Sequence, residues 1–294
     1  MKRRTFLQTT GVAGLLTVLG RPAWAVSADN RYAKTLGLQV YTVRNQLAKD
    51  IPGTIQAIAA AGYYQVELMN VADADQYLPI VKDNGMVVTS AFIDWRAMTT
   101  PDAADVVPIE KQIEQAKQHG IHYLVFGYIG KGHRETADQL KTLAERANKA
   151  GEKCREAGIQ YCYHNHSFEF QPLPTGQTGF SVFVQEFDPQ LVKFELDVFW
   201  AAIGGLDPVT SLKRLKGRVA QVHLKDLLPG VDTIYDEGKV PAEAFKEVGQ
   251  GRINWTDVLQ ACAATGVEQC HVEQDQSPDP IASIATSLKY VRGL

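Results

Sequence analysis

The sequence lacks the features that would assign it to several common function classes. Its 30 Lys and Arg residues are balanced by 33 Asp and Glu residues and form no basic stripe, so it has no electrostatic footprint for nucleic acid. Its four cysteines show neither CxxC nor zinc-ribbon spacing, which predicts core thiols and leaves a disulfide open. No apolar run reaches the roughly 20 residues that a membrane-spanning helix needs. A globular chain that acts on a small molecule is the remaining expectation.

The first 25 residues differ from the rest and predict an export signal. A twin-arginine pattern at 2–7 (KRRTFL) precedes a charge-free apolar stretch at 9–20 and a small-residue site, AWA, at 23–25. This order predicts cleavage after Ala25. A stable membrane anchor is the alternative, but the stretch is too short to cross a bilayer core of ~30 Å. We therefore expect a cleaved signal at 1–25, a polar lead at 26–35, the twin-arginine export machinery as a partner, and a periplasmic or otherwise exported protein.

From residue 36 onward, strand and helix patterns alternate eight times. The strands are predicted at 36–41, 65–68, 87–91, 122–126, 159–164, 192–197, 219–224 and 269–273, and the helices at 51–61, 74–84, 104–119, 136–157, 181–187, 208–215, 255–264 and 281–291. Eight such units in about 260 residues predict a single-domain α/β fold, a (β/α)8 TIM barrel over 36–294. An open doubly wound sheet is the alternative, but no GxGxxG turn follows a strand and no linker divides the chain.

The last four predicted strands each end in a residue that can bind a metal ion. These residues are His164, Asp197, His223 and Glu273. Because the carboxyl ends of barrel strands meet at one face, the four side chains are expected to converge. Two imidazoles and two carboxylates suit a borderline divalent ion such as Mn²⁺, Zn²⁺, Co²⁺ or Fe²⁺. The sequence therefore predicts one divalent metal ion as a cofactor.

Each of these residues also has a structural explanation when it is taken singly. Asp197 can cap the helix that follows it, and His223 can be a core histidine bonded to a backbone carbonyl. Glu273 can pair with Arg252. The coincidence of four such residues at four successive strand ends favours the metal site.

At these residues the chain resembles the sugar phosphate isomerase/epimerase superfamily, the xylose-isomerase-like TIM barrels that include tagatose/psicose 3-epimerases, hydroxypyruvate isomerase and inosose dehydratase. The resemblance covers nearly the whole mature chain. It rests on the segments GLQVYTVR at 37–44, YHNH at 163–166, ELD at 195–197, HLKD at 223–226, GQGRINW at 249–255 and VEQ at 272–274. Members of this kind bind one divalent metal ion through Glu, Asp, His and Glu from the last four strands. The resemblance implies that Asp197, His223 and Glu273 are metal ligands.

The first ligand position departs from the epimerases, because His164 stands where they have a glutamate. Their mechanism uses two metal-bound glutamates on opposite faces of the substrate, one to remove a proton next to a carbonyl and one to return it. An imidazole that binds metal has lost the nitrogen that would accept a proton, so His164 is a poor replacement for that base. His166, on the same strand face, and Glu169, in the next loop, are the candidate replacements. Hydrogen bonding within the site is the alternative for both.

Several further residues are candidates for contacts with the substrate. Lys225 lies two residues beyond His223 and becomes a candidate catalytic residue if desolvation lowers its pKa, with pairing to Asp226 as the alternative. The polar residues predicted to bind substrate are Gln39, Tyr41, Glu67, Glu169 and Arg252. For Glu67, which ends the second strand, capping or ion pairing is the alternative.

A charged pair is also predicted lower in the barrel. Lys193 and Glu195 share strand parity with Asp197, so they are expected to point inward. Mutual charge compensation would hold them there as a buried pair. We expect this pair to take no part in catalysis.

Together these features predict a metal-dependent sugar isomerase or epimerase that removes a proton next to a carbonyl, with Glu273 moving the proton. The export signal and the lack of a Gly-rich phosphate loop favour a non-phosphorylated sugar or keto-sugar. The departure at His164 keeps two alternatives open, a lyase or hydratase that acts on 3-keto-glycosides by elimination, and a non-catalytic sugar-binding protein. The sequence leaves the exact sugar, the native metal and the oligomeric state open, a homo-oligomer included.

Overall fold

The chain folds into a closed barrel of parallel strands. The structure is a computed structural model that describes residues 30–294, so the predicted export signal lies outside the described residues. Each strand pairs with the next one along the chain, and the last pairs with the first. The barrel strands are β1 (Gly37–Gln39), β2 (Gln65–Leu68), β3 (Val87–Phe92), β4 (Tyr123–Phe126), β5 (Gln160–His164), β6 (Val192–Asp197), β7 (Val219–Leu224) and β8 (Gln269–Val272). The predicted (β/α)8 fold is confirmed.

One main helix follows each strand. These helices are α1 (Ile51–Ala61), α2 (Ala74–Asp83), α3 (Ile109–Gln118), α4 (Ala137–Ala157), α5 (Gly179–Glu186), α6 (Pro208–Arg214), α7 (Trp255–Thr265) and α8 (Pro280–Arg292). The predicted bounds agree to within a few residues, except that α3 begins at Ile109 and not at 104. Pro108 explains the difference, because the residue before a proline disfavours helical conformation.

Shorter elements fill the loops. The described residues also form the α-helices Arg31–Thr35, Arg44–Leu47, Arg96–Thr99 and Val198–Ile203, the 3₁₀ helices Val40–Val43, Val71–Asp73, Phe168–Phe170, Glu237–Lys239 and Ala242–Ala244, and an antiparallel pair of Asp226–Leu227 with Phe245–Lys246. The first of these helices falls in the predicted polar lead and is anchored by Tyr32, whose buried hydroxyl donates to the Val267 carbonyl at 2.7 Å. Between residues 30 and 294, no helix has the length and apolarity needed to cross a membrane.

Local hydrogen bonds and backbone conformation explain the bounds of α4 and β1. α4 begins with a capping box of Thr136 and Gln139, and it ends at Gly158, whose φ of 78° suits glycine. β1 is shorter than predicted, because the Gln39 side chain accepts a hydrogen bond from the Tyr41 amide at 3.1 Å and starts a 3₁₀ turn. The turn keeps both side chains near the mouth of the barrel.

The barrel interior is polar, although TIM barrels usually fill it with branched apolar side chains. Gln221 Nε2 on β7 donates across the barrel to Ser90 Oγ on β3 at 3.1 Å. His223 Nε2 lies 2.6 Å from Glu67 Oε2 on β2. The apolar core lies instead between the strands and the helices. Buried polar groups are tolerated only when they find partners, so the interior depends on its own network.

Asp226 holds the long loop that follows β7. Its two carboxylate oxygens accept five hydrogen bonds of 2.7 to 3.1 Å, from the backbone amides of Leu227, Gly249, Gly251 and Ile253 and from Nε1 of Trp255. A Cβ at Gly251 would collide with the Asp226 carboxylate, so glycine is required at that position. The two ends of the loop at 227–251 are thereby tied to one side chain.

We expect Asp226→Asn to lower the free energy of unfolding by about 3 kcal/mol. The side-chain nitrogen of asparagine replaces one carboxylate oxygen and cannot accept the hydrogen bonds that this oxygen received. Chemical denaturation of the purified chain measures this change. Asp232→Asn, at an exposed position in the same loop, is the matched control and should stay within about 0.5 kcal/mol of the parent. Equal effects of the two substitutions would contradict the role given to Asp226.

Candidate active site

The four side chains predicted as metal ligands meet at the carboxyl end of the barrel. His164 and Asp197 end β5 and β6, His223 lies in β7, and Glu273 directly follows β8. Each residue offers one ligand atom, and these atoms all lie within 4.8 Å of one another. We call His164, Asp197, His223 and Glu273 the outer set.

The donor chemistry of the outer set fits a divalent ion. All four residues are buried. Asp197 Oδ2 accepts no hydrogen bond, although Lys225 Nζ lies 3.2 Å away. An open carboxylate oxygen beside two imidazoles and a second carboxylate matches the ligand preference of first-row transition metals. These residues therefore can hold one such ion.

The structural explanations considered for single residues hold only in part. Asp197 does cap the helix that follows it, since Asp197 Oδ1 accepts from the Trp200 amide at 2.8 Å. His223 contacts carboxylates, with its Nδ1 3.1 Å from Glu273 Oε2. Glu273 forms its ion pair with Lys225 at 2.7 Å. Capping and metal binding are compatible for Asp197, because they use different oxygens.

Lys225 is the cationic centre of the site. Its Nζ lies 2.7 Å from Glu273, 2.8 Å from Asp275 and 3.2 Å from Asp197. Burial by itself would lower the pKa of Lys225, but the three carboxylates outweigh it and raise this pKa above its usual value. The lowered pKa that was the condition for a catalytic role of Lys225 is therefore not found, and the amine stays protonated. The alternative of a pair with Asp226 is wrong, because that carboxylate binds the loop after β7.

His166 is the candidate base that reaches the cavity. Its Nδ1 is buried without a hydrogen-bond partner, and its ring packs against Phe168 and Trp200. Burial, and after it the charge of Lys225, lowers the pKa of His166, so the imidazole is neutral at neutral pH. A neutral imidazole with an open nitrogen can accept a proton.

Glu169 lies behind His166 and does not line the cavity. Glu169 is 2% exposed and accepts hydrogen bonds from the Tyr163 hydroxyl at 2.5 Å and the His166 amide at 2.9 Å. These contacts fix the turn after β5. Glu169 is thus placed to position His166, and the predicted contact with substrate is not supported.

A cavity of about 460 Å³ adjoins the outer set. The predicted residues in its wall are Gln39, Tyr41, His164, His166, Lys225 and Glu273. The wall also contains Tyr128, Glu237, Phe245 and Asp275, which the sequence did not single out. Asp275 follows Glu273 by two positions, a signal that could have found it, whereas the others lie in loops without a local pattern.

Two predicted substrate-binding residues lie away from this cavity. Arg252 Nη2 donates to the Ala202 carbonyl at 3.2 Å, and Arg252 lines a separate cavity beside the start of α6. Glu67 is fully buried inside the barrel, where it accepts from Gln39 Nε2 at 2.8 Å. The structure therefore places neither residue in the wall of this cavity. For Glu67, strand parity predicts the direction of the side chain but not its depth.

The predicted buried pair of Lys193 and Glu195 is wrong. Lys193 is half-buried, and its Nζ donates to the Gly217 carbonyl at 2.5 Å. Glu195 is fully buried and lies 3.2 Å from His164 Nδ1 instead. The pairing of β6 with β7 shifts register between Phe194 and Glu195, which breaks the regular alternation that the prediction assumed.

A larger cavity, of about 1070 Å³, lies at the opposite end of the barrel. Its wall includes the strand beginnings Gln65, Val87 and Gln269, and none of the outer set. Active sites of TIM barrels lie at the carboxyl ends of the strands. The smaller cavity is therefore the candidate active site.

Comparisons with known proteins show which proteins this chain is similar to. The inosose dehydratase of Clostridium tetani (strain Massachusetts / E88) is 29% identical over 170 residues, which cover 53% of this chain and 55% of that protein. The match thus spans about half the length of that relative. A crystal structure of a sugar phosphate isomerase/epimerase from Parabacteroides distasonis ATCC 8503 has a TM-score of 0.72 at 24% identity, over 92% of this chain and 97% of that one. The IOLI protein, solved with a bound zinc atom, has a TM-score of 0.63 at 14% identity, over 87% of this chain and 95% of that one.

The two solved structures are less than 25% identical to this chain and show its fold alone. The sequence profile described as xylose isomerase-like TIM barrel matches residues 55–293. This range contains seven of the eight barrel strands, β2 to β8, and the whole outer set. The chain belongs to the xylose isomerase-like TIM barrel family.

Proposed function

We propose that this chain is a metal-dependent enzyme that eliminates a substituent β to the carbonyl of a non-phosphorylated keto-sugar or keto-glycoside. One observation carries the proposal: the neutral imidazole of His166 and the ammonium of Lys225 line the same cavity. Elimination needs a proton acceptor at the α carbon and a proton donor at the leaving oxygen, whereas epimerisation needs an acceptor and a donor on opposite faces of the same carbon. The name of the Clostridium tetani relative, a dehydratase, supports the same chemistry.

The outer set would hold the divalent ion. Bound there, such an ion would polarise the carbonyl oxygen of the substrate and acidify the neighbouring C–H bond. The two ligand histidines are oriented from outside the set, because Glu195 lies 3.2 Å from His164 Nδ1 and Glu67 lies 2.6 Å from His223 Nε2. Carboxylate partners of this kind fix the direction of a ligand ring.

Side chains of this protein move the protons. His166 takes the proton from the carbon next to the carbonyl, and the electron pair left behind forms a carbon–carbon double bond. The bond between the β carbon and the leaving oxygen breaks, and that oxygen takes a proton from Lys225 Nζ. A leaving alkoxide is more basic than a lysine amine, so this transfer is favourable even though the pKa of Lys225 is raised.

The wall of the cavity favours a substrate without phosphate. Among the described residues that line it, Lys225 is the one Lys or Arg, and three carboxylates already compensate its charge. A phosphate group needs uncompensated cations or free backbone amides. Tyr128, Trp200 and Phe245 offer aromatic surface for the apolar face of a sugar ring. Export by the twin-arginine route is part of the same proposal, because phosphorylated sugars are mainly cytoplasmic intermediates.

An isomerase or epimerase is the second candidate, because Glu273 also lines the cavity and can accept a proton. Burial would raise the pKa of Glu273, but the charges of Lys225 and His223 lower it well below its usual range. In our proposal Glu273 is also a metal ligand, and its carboxylate is paired with Lys225 at 2.7 Å, whereas Nδ1 of His166 has no hydrogen-bond partner. Elimination through His166 is therefore the better-supported reaction.

Reaction type can be tested with a 3-keto-glycoside and Mn²⁺ in deuterated water. We expect release of the aglycone, because elimination breaks the bond to the leaving group, and mass spectrometry of the products measures it. Dialysis against a chelator should abolish the release and Mn²⁺ should restore it. Solvent deuterium in an intact sugar product without aglycone release would contradict elimination and indicate an epimerase or isomerase.

His166→Gln should lower kcat for aglycone release by roughly 10²- to 10⁴-fold, the usual contribution of a positioned general base. Metal content should stay unchanged, because His166 is outside the outer set. His122→Gln, at an exposed histidine just before β4, is the matched control and should retain full activity. An unchanged kcat in His166→Gln, or a loss of metal along with activity, would contradict the role of His166 as the general base.

Glu169 should make stability depend on pH. Burial raises its pKa to about 7, so between about pH 4 and pH 7 the folded chain keeps a proton that the unfolded chain releases. This group therefore favours the folded state most at low pH, and its contribution is lost as the pH rises through 7. Glu169→Gln should reduce that slope in denaturant unfolding measured across this range, while Glu186→Gln, at an exposed position, should leave it unchanged. Identical slopes in both variants would contradict the assignment.

A further inference from the structure

We propose that the barrel interior holds a second divalent cation, of the Zn²⁺ class, below the outer set. Glu67, Glu195, His223 and His271 each offer one ligand atom, and these atoms all lie within 4.8 Å of one another. We call these four residues the inner set. The two sets share His223, whereas the other three members of the inner set come from β2, β6 and β8.

His271 carries the inference, because nothing in the described structure satisfies it. The residue is 0% exposed, and neither Nδ1 nor Nε2 has a hydrogen-bond partner. Its ring packs over Gly37, where a Cβ would collide with it, so the close approach depends on that glycine. A buried imidazole with two unpaired nitrogens costs free energy unless something binds it. A cation between the inner carboxylates and His271 would supply a partner for one of these nitrogens.

His223 presents one ring nitrogen to each set. Its Nδ1 faces the outer set, at 3.1 Å from Glu273 Oε2 and 3.9 Å from Asp197 Oδ2. Its Nε2 faces the inner set, at 2.6 Å from Glu67 Oε2 and 3.3 Å from Glu195 Oε2. One histidine therefore can serve two ions, and filling both sites displaces its ring proton.

The charges inside the barrel call for more than one divalent ion. Within the described residues, the interior contains one ammonium, that of Lys225, which contacts the carboxylates of Asp197, Glu273 and the half-buried Asp275. The carboxylates of Glu67 and Glu195 are buried deeper in the barrel, which brings the number of carboxylates to five. With neutral imidazoles, one divalent ion leaves two negative charges in excess. A second ion reduces this excess to one negative charge when His223 has lost its ring proton. Uncompensated charge is expensive in such a buried position.

The two sets differ in the kind of site they form. His164 and Glu273 of the outer set line the cavity, so a substrate can reach an ion there. No member of the inner set lines this cavity, and all four are 0% exposed. Four protein ligands that leave no position open are the arrangement of a closed, structural zinc site, and imidazole and carboxylate are both zinc ligands. The inner ion would therefore fix the ligand rings and leave the chemistry to the outer site.

A proton shared by Glu67 and Glu195 is the competing explanation for the inner set. Such a proton would reduce the repulsion between the two carboxylates. It would leave both nitrogens of His271 without a partner, and it would not bind metal. Metal stoichiometry therefore separates the two explanations.

The full chain, stripped with a chelator and then equilibrated with Zn²⁺ and freed of excess ion, should contain two zinc equivalents by elemental analysis. His271→Gln should contain one, because it removes a ligand of the inner set alone. Asp197→Asn should also contain one, because it removes a ligand of the outer set alone. With Mn²⁺ in place of Zn²⁺, electron paramagnetic resonance should show coupling between two neighbouring ions in the parent and none in either variant.

Circular dichroism and thermal melting identify variants that fail to fold. If His271→Gln fails to fold, Glu67→Gln is used in its place. His122→Gln is the matched control and should keep two equivalents. Two results would overturn the inner site. In the first, the parent contains one zinc equivalent or less and Asp197→Asn loses it. In the second, His271→Gln still contains two equivalents. One equivalent that survives in Asp197→Asn and disappears in His271→Gln would support the inner site and contradict the proposed function instead.

Discussion

Lys225 and the three carboxylates around it hold the mouth of the barrel together. Its Nζ lies within 3.2 Å of Asp197 on β6, Glu273 after β8 and Asp275 in the following loop, and Lys225 itself follows β7. Carboxylates buried at this depth are stable only when they are paired. Two of these carboxylates are also metal ligands in our proposal, so the contact that stabilises the fold sets the charge and position of the groups that do the chemistry.

The parts of the fold that depend on local patterns could be predicted from the sequence. Eight alternations of strand and helix indicate the barrel, because each unit carries its own hydrophobic period. The convergence of His164, Asp197, His223 and Glu273 follows from a single rule, that parallel barrel strands end on one face. Depth and register do not follow from local patterns, and for that reason the expected roles of Glu67 and Lys193 failed. Arg252 lies in a loop, where no periodic pattern shows which cavity a side chain lines.

The electrostatics of the site could not be predicted in the same way. From burial alone, the pKa of Lys225 is expected to fall, and the structure reverses this direction because carboxylates from two other segments converge on the amine. Tyr128, Glu237 and Phe245 come from loops whose sequence carries no periodic signal. Only the closed barrel shows which charges face each other, and the choice between an acid and a base role depends on that arrangement.

The anchoring of the loop after β7 bears on how a substrate would bind. Asp226 ties both ends of this loop, and Arg134 holds Glu237 near its middle at 2.8 Å. Glu237 and Phe245 therefore stand in the cavity wall before any ligand arrives. These wall residues lose their conformational entropy when the chain folds, so the binding of a ligand does not have to order them. Rigid sugar rings that match the preformed shape gain the most from such preorganisation, whereas flexible ligands still lose their own conformational freedom.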